Sequence, residues 1–351
     1  MICFHNDYSE GCHELILQRL QQTNLEQTPG YGEDHYCASA AQKIRVACGR
    51  EDVDVHFLVG GTQANLTVIA AALRPYQGVI CADSGHIHVH ETGAVEATGH
   101  KVLAVASADG KITATQIEQV VLLQRDSGAA EHMVMPKMVY ISQPTELGTL
   151  YNLAELIAIQ KTCREYGLYL FLDGARLGYG LTAPDNDVTL PDIARLCDVF
   201  YIGGTKMGAL FGEAVVITQS TIAADFRYMI KRQGGMLAKG RLLGLQFDTL
   251  FTDELYFALG CHANAMAEQI RNTLHALQIP LFVPGCTNQI FPVLSDAAMT
   301  ELSKNFTFTY QERVDEAHCV VRLCTSWATT QENVNALCAE LERIHKNLIG
   351  K

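Results

Sequence analysis

Residues 57–65 read Phe-Leu-Val-Gly-Gly-Thr-Gln-Ala-Asn, an apolar strand that ends in two glycines and runs directly into a helix-forming segment. Free N–H groups at the start of a helix bind phosphate, and glycine lets a phosphate group come close to the backbone. The same glycines also fit a turn that holds no ligand. The stretch lacks the GxGxxG spacing of a dinucleotide site and the GK[ST] of a nucleotide P-loop. It predicts a strand–turn–helix unit with room for phosphate.

Short apolar runs alternate with amphipathic stretches around this unit. Thr113 and Gln116 form a capping box at the start of one helix, and Asn152 caps another with Glu155 at its third position. Strands that alternate with helices predict a largely parallel sheet covered on both faces. The predicted strands are residues 56–59, 79–82, 102–105, 138–142, 169–172, 199–202 and 214–217.

The last third of the chain has a different character. Residues 255–277 read as one long helix, and strand-like runs follow at 289–294 and 319–324. We therefore predict a large α/β domain over residues 1–248. A small α+β domain follows over residues 249–351.

Composition excludes several classes of function. The 351 residues carry a net charge of −12, which repels phosphate backbones and argues against nucleic-acid binding. The sequence contains no run of about 18 apolar residues and does not begin like a signal peptide, so we expect no membrane association. The 12 cysteines form no CxxC pair, which indicates free thiols in a reducing cytoplasm.

Two more strands lead into residues with chemical potential. One ends at Asp173, where ligands bind in open α/β sheets, although an aspartate can also simply cap a turn. Another leads into Gly203-Gly204-Thr205-Lys206; burial would lower the pKa of Lys206 and free its amine to attack a carbonyl, whereas the alternative is a surface lysine. A phosphate cradle, a carboxylate and an activatable lysine are together what pyridoxal phosphate (PLP) requires.

With these motifs, the chain resembles the threonine aldolase and aromatic amino acid β-eliminating lyase family of fold-type I PLP enzymes. The resemblance implies the PLP-dependent transferase-like α/β fold of aspartate aminotransferase, with a mainly parallel seven-stranded sheet between helices and a small C-terminal α+β domain. The matching segments follow the family's order over nearly the whole chain and are residues 5–7, 31–34, 61–65, 86–91, 173–176, 205–206 and 321–323.

The resemblance also implies roles at the cofactor. Lys206 forms the Schiff base with PLP, Asp173 faces the pyridine nitrogen, and His86 stacks on the ring and moves protons, so these three are the expected catalytic residues. The implied cofactor-binding residues are Gly61, Thr62, His86, Asp173, Arg176, Thr205, Lys206, Arg232 and Lys239.

For the substrate, Arg176 and Arg322 are the implied clamp on the amino-acid carboxylate, helped by Asn6, because the planar guanidinium binds carboxylate through two hydrogen bonds. The resemblance also implies that the N-terminal segment contributes to the substrate site and the interface. Tyr31, a further implied substrate-binding residue, and the segment of residues 232–239 are expected to reach a neighbouring subunit. The family pattern is therefore a homodimer with shared active sites, often paired into a homotetramer.

One departure from the family concerns the Thr-His-Asn stretch of threonine aldolases, which reads Thr145-Glu146-Leu147 here. Glu146 either replaces the histidine as a base at the substrate or marks a different β-substituted substrate. His86, His88 and His90 could align three imidazoles on one strand face, as a metal site might. We expect no metal site, because no cysteine or acidic residue has clear ligand spacing and the resemblance assigns His86 to the cofactor ring.

The resemblance thus predicts a PLP-dependent carbon–carbon lyase that cleaves a β-hydroxy-α-amino acid, threonine or allo-threonine, into glycine and an aldehyde. The alternatives are a PLP-dependent β-eliminating lyase or racemase acting on another small amino acid, and a PLP-binding protein without catalysis. A nicotinamide dehydrogenase is disfavoured because the dinucleotide glycine spacing is missing.

Overall fold

The protein is described by a computed structural model that covers residues 1–349. In chain order, the strands are β1 (Ile2–Cys3), β2 (Asp54–Leu58), β3 (Gln77–Ala82), β4 (Lys101–Val105), β5 (Met135–Ser142), β6 (Tyr169–Asp173), β7 (Val199–Gly203), β8 (Glu213–Ile217), β9 (Gln289–Ile290), β10 (Val293–Ser295), β11 (Phe306–Thr307), β12 (Thr309–Arg313) and β13 (His318–Cys324). The helices are α1 (Glu14–Gln22), α2 (His35–Cys48), α3 (Gly61–Ala72), α4 (His86–Val89), α5 (Ala94–Ala97), α6 (Ala114–Arg125), α7 (Leu153–Tyr166), α8 (Leu177–Leu181), α9 (Leu190–Leu196), α10 (Ser220–Ala223), α11 (Phe226–Arg232), α12 (Arg241–Leu250), α13 (Leu255–Ala276), α14 (Asp296–Leu302) and α15 (Gln331–Ile349).

The central sheet has seven strands in the order β2-β8-β7-β6-β5-β3-β4. Strand β8 runs antiparallel to β2 and β7, and the remaining pairs are parallel. All seven predicted strands are confirmed; the largest difference is at β5, which begins at Met135 rather than at residue 138. The predicted mainly parallel α/β fold is therefore confirmed.

Helices cover the sheet on both faces because its strands are apolar on both faces. In β7, Phe200 and Ile202 belong to the apolar cluster that contains residues of α7, α9 and α12. Val199 and Tyr201 belong to the cluster on the α3 side. Successive side chains of a strand point to opposite faces, so only a two-sided helical cover buries all four. Full burial of a side chain such as Phe200 contributes about 1.5–3 kcal/mol.

The C-terminal region forms a smaller antiparallel sheet in the order β10-β13-β12, with β9 also paired to β13. The predicted long helix is confirmed as α13, which ends at Ala276, one residue before the predicted end. The single strand predicted over residues 289–294 is wrong, because β9 and β10 are separate strands on either side of Phe291 and Pro292. Proline has no N–H to donate to a neighbouring strand, which favours such an interruption.

The N-terminal strand connects the two ends of the chain. Strand β1 pairs in parallel with β11, so residues 2–3 join the C-terminal region before the chain enters the large sheet. The division into domains of residues 1–248 and 249–351 stays a prediction. Within residues 1–349, no helix is both long and apolar enough to cross a lipid bilayer.

The sheet topology brings several loops to one edge. Strands β5, β6 and β7 are parallel, and β2 points the same way because both it and β7 are antiparallel to β8. Their carboxyl ends, and the amino end of β8, therefore meet at the same edge. Ligands of open α/β sheets bind at this edge.

Candidate active site

A cavity of about 310 Å³ opens at the carboxyl edge of the sheet. Its walls come from the loops after β2, β3, β5, β6 and β7 and from the start of β8. The cavity brings together residues that lie far apart in the sequence and that the sequence analysis had assigned to one site. These are Gly61, Thr62, His86, Glu146, Asp173, Arg176, Thr205 and Lys206.

Lys206 lies in the turn between β7 and β8. The turn is tight because the N–H groups of Gly204 and Thr205 both donate to the carbonyl of Gly212, over 2.9 and 3.1 Å. Burial lowers the pKa of the Lys206 amine, and the nearby Arg176 guanidinium lowers it further. An amine with a lowered pKa is more often in the neutral form that attacks a carbonyl carbon.

Asp173 is the last residue of β6 and is buried. Its carboxylate accepts hydrogen bonds from the Tyr140 hydroxyl, from Asn65 Nδ2 at 3.2 Å and from the Ala175 N–H at 2.9 Å. Burial alone would raise the pKa of Asp173, but His86 and the Tyr140 hydrogen bond hold it below its ordinary value. A carboxylate that stays ionised in a buried site is suited to a cationic partner.

The start of α3 forms an anion cradle. Its N-cap residue is Gly60, which has no side chain to cap the first N–H groups of the helix. At Gly61, an added Cβ would lie 3.1 Å from the Tyr201 hydroxyl, so the backbone packs closely against β7. Uncapped N–H groups and the positive end of the helix dipole favour a bound anion, and Thr62 adds a hydroxyl donor.

His86 is held by a buried carboxylate. Its Nδ1 lies 2.7 Å from Glu91 Oε1, and the same oxygen accepts a hydrogen bond of 2.7 Å from Asn65 Nδ2. Although burial would lower the pKa of His86, the hydrogen bond to Glu91 and the charge of Asp173 raise it. Asn65 also contacts Asp173, so one amide links the carboxylates on either side of the site. This network fixes the ring orientation and favours the imidazolium form.

We expect Glu91→Gln to lower the pKa of His86, because the substitution removes the charge that stabilises the imidazolium. The measurement is an NMR pH titration of the histidine Cε1 protons of the protein without added ligand. Glu96→Gln removes an exposed charge nearby and should leave the titration of His86 unchanged. Equal midpoints for His86 in the wild type and in Glu91→Gln would contradict this role of Glu91.

Glu146 follows β5 and faces the same cavity. Its Oε1 accepts hydrogen bonds from the Ser142 hydroxyl at 2.7 Å and from the backbone N–H of His86 at 3.0 Å. Burial raises the pKa of Glu146, and Asp173 raises it further against the opposing Ser142 hydrogen bond. A carboxyl group with a raised pKa takes up a proton more readily than an ordinary one, which suits it to proton transfer.

Arg176 is already paired within the protein. Its Nε and Nη2 donate to the two carboxylate oxygens of Asp7 over 2.6 and 2.9 Å. The side chain of Asp7 is 0% exposed and that of Arg176 13% exposed. Asn288 Nδ2 also donates to Asp7, over 2.9 Å. Arg176 therefore lines the cavity with its charge largely compensated by Asp7, and its implied role in binding the substrate carboxylate stays a prediction.

Five other predicted residues do not line this cavity. Arg322 donates to the carbonyl of His5 and to the Thr309 hydroxyl, while its Nε is buried without a hydrogen-bond partner among residues 1–349. The side chain of Asn6 accepts a hydrogen bond from the Tyr8 N–H. Tyr31 lines a separate cavity of about 330 Å³. Arg232 and Lys239 are exposed.

The sequence analysis missed several residues of the site. Tyr140 lies in the middle of the apolar strand β5, so its pattern shows only burial, and its hydroxyl contact with Asp173 needs the sheet register. The centre of the Tyr8 ring lies 5.9 Å from Lys206 Nζ. Glu213 is a charged residue that opens a buried apolar strand, and that signal was available in the sequence. The histidines at 86 and 88 lie on α4, so they do not form the strand face that a three-histidine metal site would use.

Comparisons with known proteins point to one family. A family described as beta-eliminating lyase matches residues 6–297. A low specificity L-threonine aldolase of Pseudomonas sp. is 30% identical over 97% of this chain and 96% of its own length. A solved structure described as a Leishmania major threonine aldolase is 47% identical, with a TM-score of 0.96 over 98% of this chain and 100% of that chain. A Thermus thermophilus aspartate aminotransferase shares the fold, with a TM-score of 0.71 at 16% identity over 98% of this chain and 91% of that chain.

Proposed function

The chain belongs to the β-eliminating lyase family, and on that premise we propose that it is a PLP-dependent lyase that cleaves threonine or allo-threonine into glycine and acetaldehyde. The observation that carries the proposal is the convergence of an activated amine, a buried carboxylate and an uncapped helix start on one cavity. The matched relatives named threonine aldolases support the choice of reaction.

The residues of the cavity fit PLP. Lys206 would hold its aldehyde carbon, Asp173 would pair with its pyridine nitrogen, and the N–H groups at Gly61 and Thr62 would hold its phosphate. When bound, PLP supplies an electron-withdrawing ring that accepts the electron pair released from a bond to the substrate Cα. His86 would pack against the ring, with its orientation fixed by Glu91.

We assign Glu146 as the base that accepts the proton of the substrate β-hydroxyl. Cleavage of the Cα–Cβ bond of threonine requires removal of the proton from the β-hydroxyl, and Glu146 lines the cavity with a raised pKa. The Ser142 hydroxyl and the backbone N–H of His86 both donate to one oxygen of Glu146 and fix the orientation of the carboxylate. The second oxygen is then the one that takes the proton.

Recognition of the substrate carboxylate falls mainly to Arg322. Its Nε has no hydrogen-bond partner among residues 1–349, whereas Arg176 already forms a bidentate salt bridge with Asp7. Asn6 accepts a hydrogen bond from the N–H of Tyr8, a residue that lines the cavity, and would add a polar contact. Arg322 does not line the cavity, so its assignment to the carboxylate rests on the unpaired Nε and requires its side chain to turn towards the cavity; we assign Arg176, which lines the cavity, to positioning and charge balance near Lys206.

A second copy of the chain would complete the site. Arg232 and Lys239 are exposed and lie outside the cavity, which fits residues that act on a neighbouring subunit. Tyr31 is 48% exposed and has a backbone φ of 60°, a conformation that is costly for a large side chain and that an interface would compensate. We propose a homodimer or homotetramer, and sedimentation of the purified protein measures its mass in solution.

The test of the proposed function is product analysis after incubation with PLP and either L-threonine or L-allo-threonine. We expect glycine and acetaldehyde in equal amounts. Release of 2-oxobutyrate and ammonia from threonine, or of pyruvate and ammonia from serine, would instead identify a β-eliminating lyase. A protein that binds PLP and leaves a panel of amino acids unchanged would contradict any catalytic role.

We expect Glu146→Gln to reduce kcat for threonine cleavage by about 10²–10⁴-fold, the usual loss when a general base is removed. The amide keeps the shape and the hydrogen-bond acceptor but cannot take the hydroxyl proton. The measurement is acetaldehyde release at saturating threonine. Glu165→Gln on the exposed face of α7 is the matched control and should keep wild-type turnover. Wild-type turnover in Glu146→Gln would show that another group takes the proton.

A further inference from the structure

Glu213 lies between the two parts of the candidate site. It is the first residue of β8, where it is paired with Gly203 of β7 on one side and with Leu58 of β2 on the other. Strand β7 leads to Lys206, and β2 leads to the anion cradle at Gly61. Glu213 is therefore a buried carboxyl group placed between the lysine and the phosphate cradle, and it lines the same cavity.

The hydrogen bonds of Glu213 depend on its protonation. Its Oε1 lies 2.9 Å from the Thr205 hydroxyl, and its Oε2 accepts from the Gly204 N–H at 3.3 Å. The Gly212 N–H also donates to the Thr205 oxygen, over 3.0 Å. A threonine hydroxyl has one proton to donate and two lone pairs. When Glu213 is ionised, the Thr205 hydroxyl directs that proton to the carboxylate at 2.9 Å in preference to the Gly212 carbonyl at 3.5 Å, and has none left for a ligand.

Several titratable groups surround Glu213. Burial raises the pKa of Glu213 to about 8, with Lys206 lowering it and Asp173 raising it. The phenols of Tyr201 on β7 and Tyr256 on α13 lie near this carboxyl; burial raises their pKa values, and the charge of Glu213 raises them further. Only Lys206 among these groups carries positive charge, so a phosphate dianion brought into the cradle adds to the negative charge around Glu213.

We propose that Glu213 is a positioning residue that takes up a proton when the phosphate group of the cofactor binds. The protonated carboxyl donates to the Thr205 oxygen and reverses their hydrogen bond. The Thr205 hydroxyl then turns its own proton to a phosphate oxygen, while the Gly212 N–H continues to hold the Thr205 oxygen in place. The inference rests on the proposed function, because it requires PLP in this cavity.

The proposal predicts that PLP affinity depends on pH through Glu213. Because bound phosphate favours the protonated acid, the pKa of Glu213 is higher in the complex than in the free protein, and binding takes up a proton between the two values. Glu213→Gln carries a permanent amide donor towards Thr205 and mimics the protonated acid. The affinity of the wild type, divided by that of Glu213→Gln, should therefore fall by up to about fivefold between pH 8 and pH 9.

The measurement is a titration of the protein with PLP, followed by visible absorbance, at several pH values. The charge of Glu213 raises the pKa of Lys206, so the ratio to Glu213→Gln keeps a contribution from Lys206. The same titration with pyridoxal, which binds the same amine without a phosphate, measures that contribution. Calorimetry in two buffers of different ionisation enthalpy gives a second readout: at pH 8.5 the wild type should take up more protons per PLP than Glu213→Gln. Pyridoxal is the matched probe here too and should show only the contribution from Lys206.

Thr205→Val provides a second variant, since it removes the hydroxyl that the proton of Glu213 is proposed to redirect. In this background the Glu213→Gln substitution should no longer change the pH dependence of PLP binding beyond the contribution measured with pyridoxal. Equal pH dependence in the wild type and Glu213→Gln, or an equal difference with pyridoxal, would overturn the role of Glu213. Absence of PLP binding by the wild type at every pH would instead contradict the proposed function itself.

Discussion

Replacement of Lys206 by alanine should abolish the visible absorption band of the PLP-loaded protein and reduce threonine cleavage by about 10⁴-fold or more. The amine lies in a tight turn at the cavity, and burial and Arg176 lower its pKa. Alanine keeps the turn but removes the atom that would hold the aldehyde carbon. Absorbance spectra and acetaldehyde release measure the two effects on one sample.

Lys161→Ala is the matched control for this substitution, because Lys161 is exposed on α7. It should keep both the band and the turnover of the wild type. Circular dichroism of Lys206→Ala separates a lost amine from a lost fold. A folded Lys206→Ala protein that retains the band would show that PLP is held at another amine.

Replacement of Asp7 by alanine should lower the free energy of unfolding by about 3–5 kcal/mol, the cost of leaving a buried charge without its partner. Asp7 and Arg176 form a buried, bidentate salt bridge, and Asn288 donates a hydrogen bond to the same carboxylate. Alanine would leave the guanidinium buried and uncompensated. Denaturant unfolding at neutral pH measures the loss, and Asp52→Ala, which removes an exposed carboxylate, is the control.

The charge on Asp7 gives this prediction a pH dependence. Burial would raise the pKa of Asp7, but Arg176 holds it below the ordinary value of 3.8. The ion pair therefore contributes its full stability above pH 3.8, and the contribution disappears as the pH falls through the lower pKa of the folded state. The difference in stability between the wild type and Asp7→Asn should shrink over that acidic range. A difference that is constant with pH would contradict an ionised Asp7.

A double substitution checks the origin of the loss at Asp7. Buried ion pairs are often replaced by apolar residues of similar size at little cost, whereas removal of one partner is expensive. We therefore expect Asp7→Ala with Arg176→Met to be more stable than Asp7→Ala alone. A double variant that is less stable would show that the loss comes from packing rather than from the unpaired guanidinium.

Local sequence patterns were sufficient to predict the large sheet. Strands such as β7 are short apolar runs bounded by glycine and polar residues, and the helices between them carry capping signals such as that of Asn152. The small sheet was harder to predict. The residues of β9 and β10 were predicted as one strand although Pro292 lies between them, and their separate pairing with β13 divides them.

The predicted site was less complete than the predicted fold, because contacts between distant segments have no local signature. Arg176 and Asp7 are separated by 169 positions, so their pairing depends on where the N-terminal segment lies. The motifs around Gly61, Asp173 and Lys206 were each visible, and the structure places all three at one cavity. The partners of these residues, such as Tyr140 and Asn65, become visible only in the sheet register.

The most direct measurement of the central claim is to identify the amine that carries the cofactor. The purified protein is incubated with PLP, reduced with borohydride, digested, and its peptides are sequenced by mass spectrometry. We expect a single reduced phosphopyridoxyl group, on Lys206, and none on Lys239 or the other lysines. A group on a different lysine, or no modification under conditions where PLP is in excess, would contradict the account.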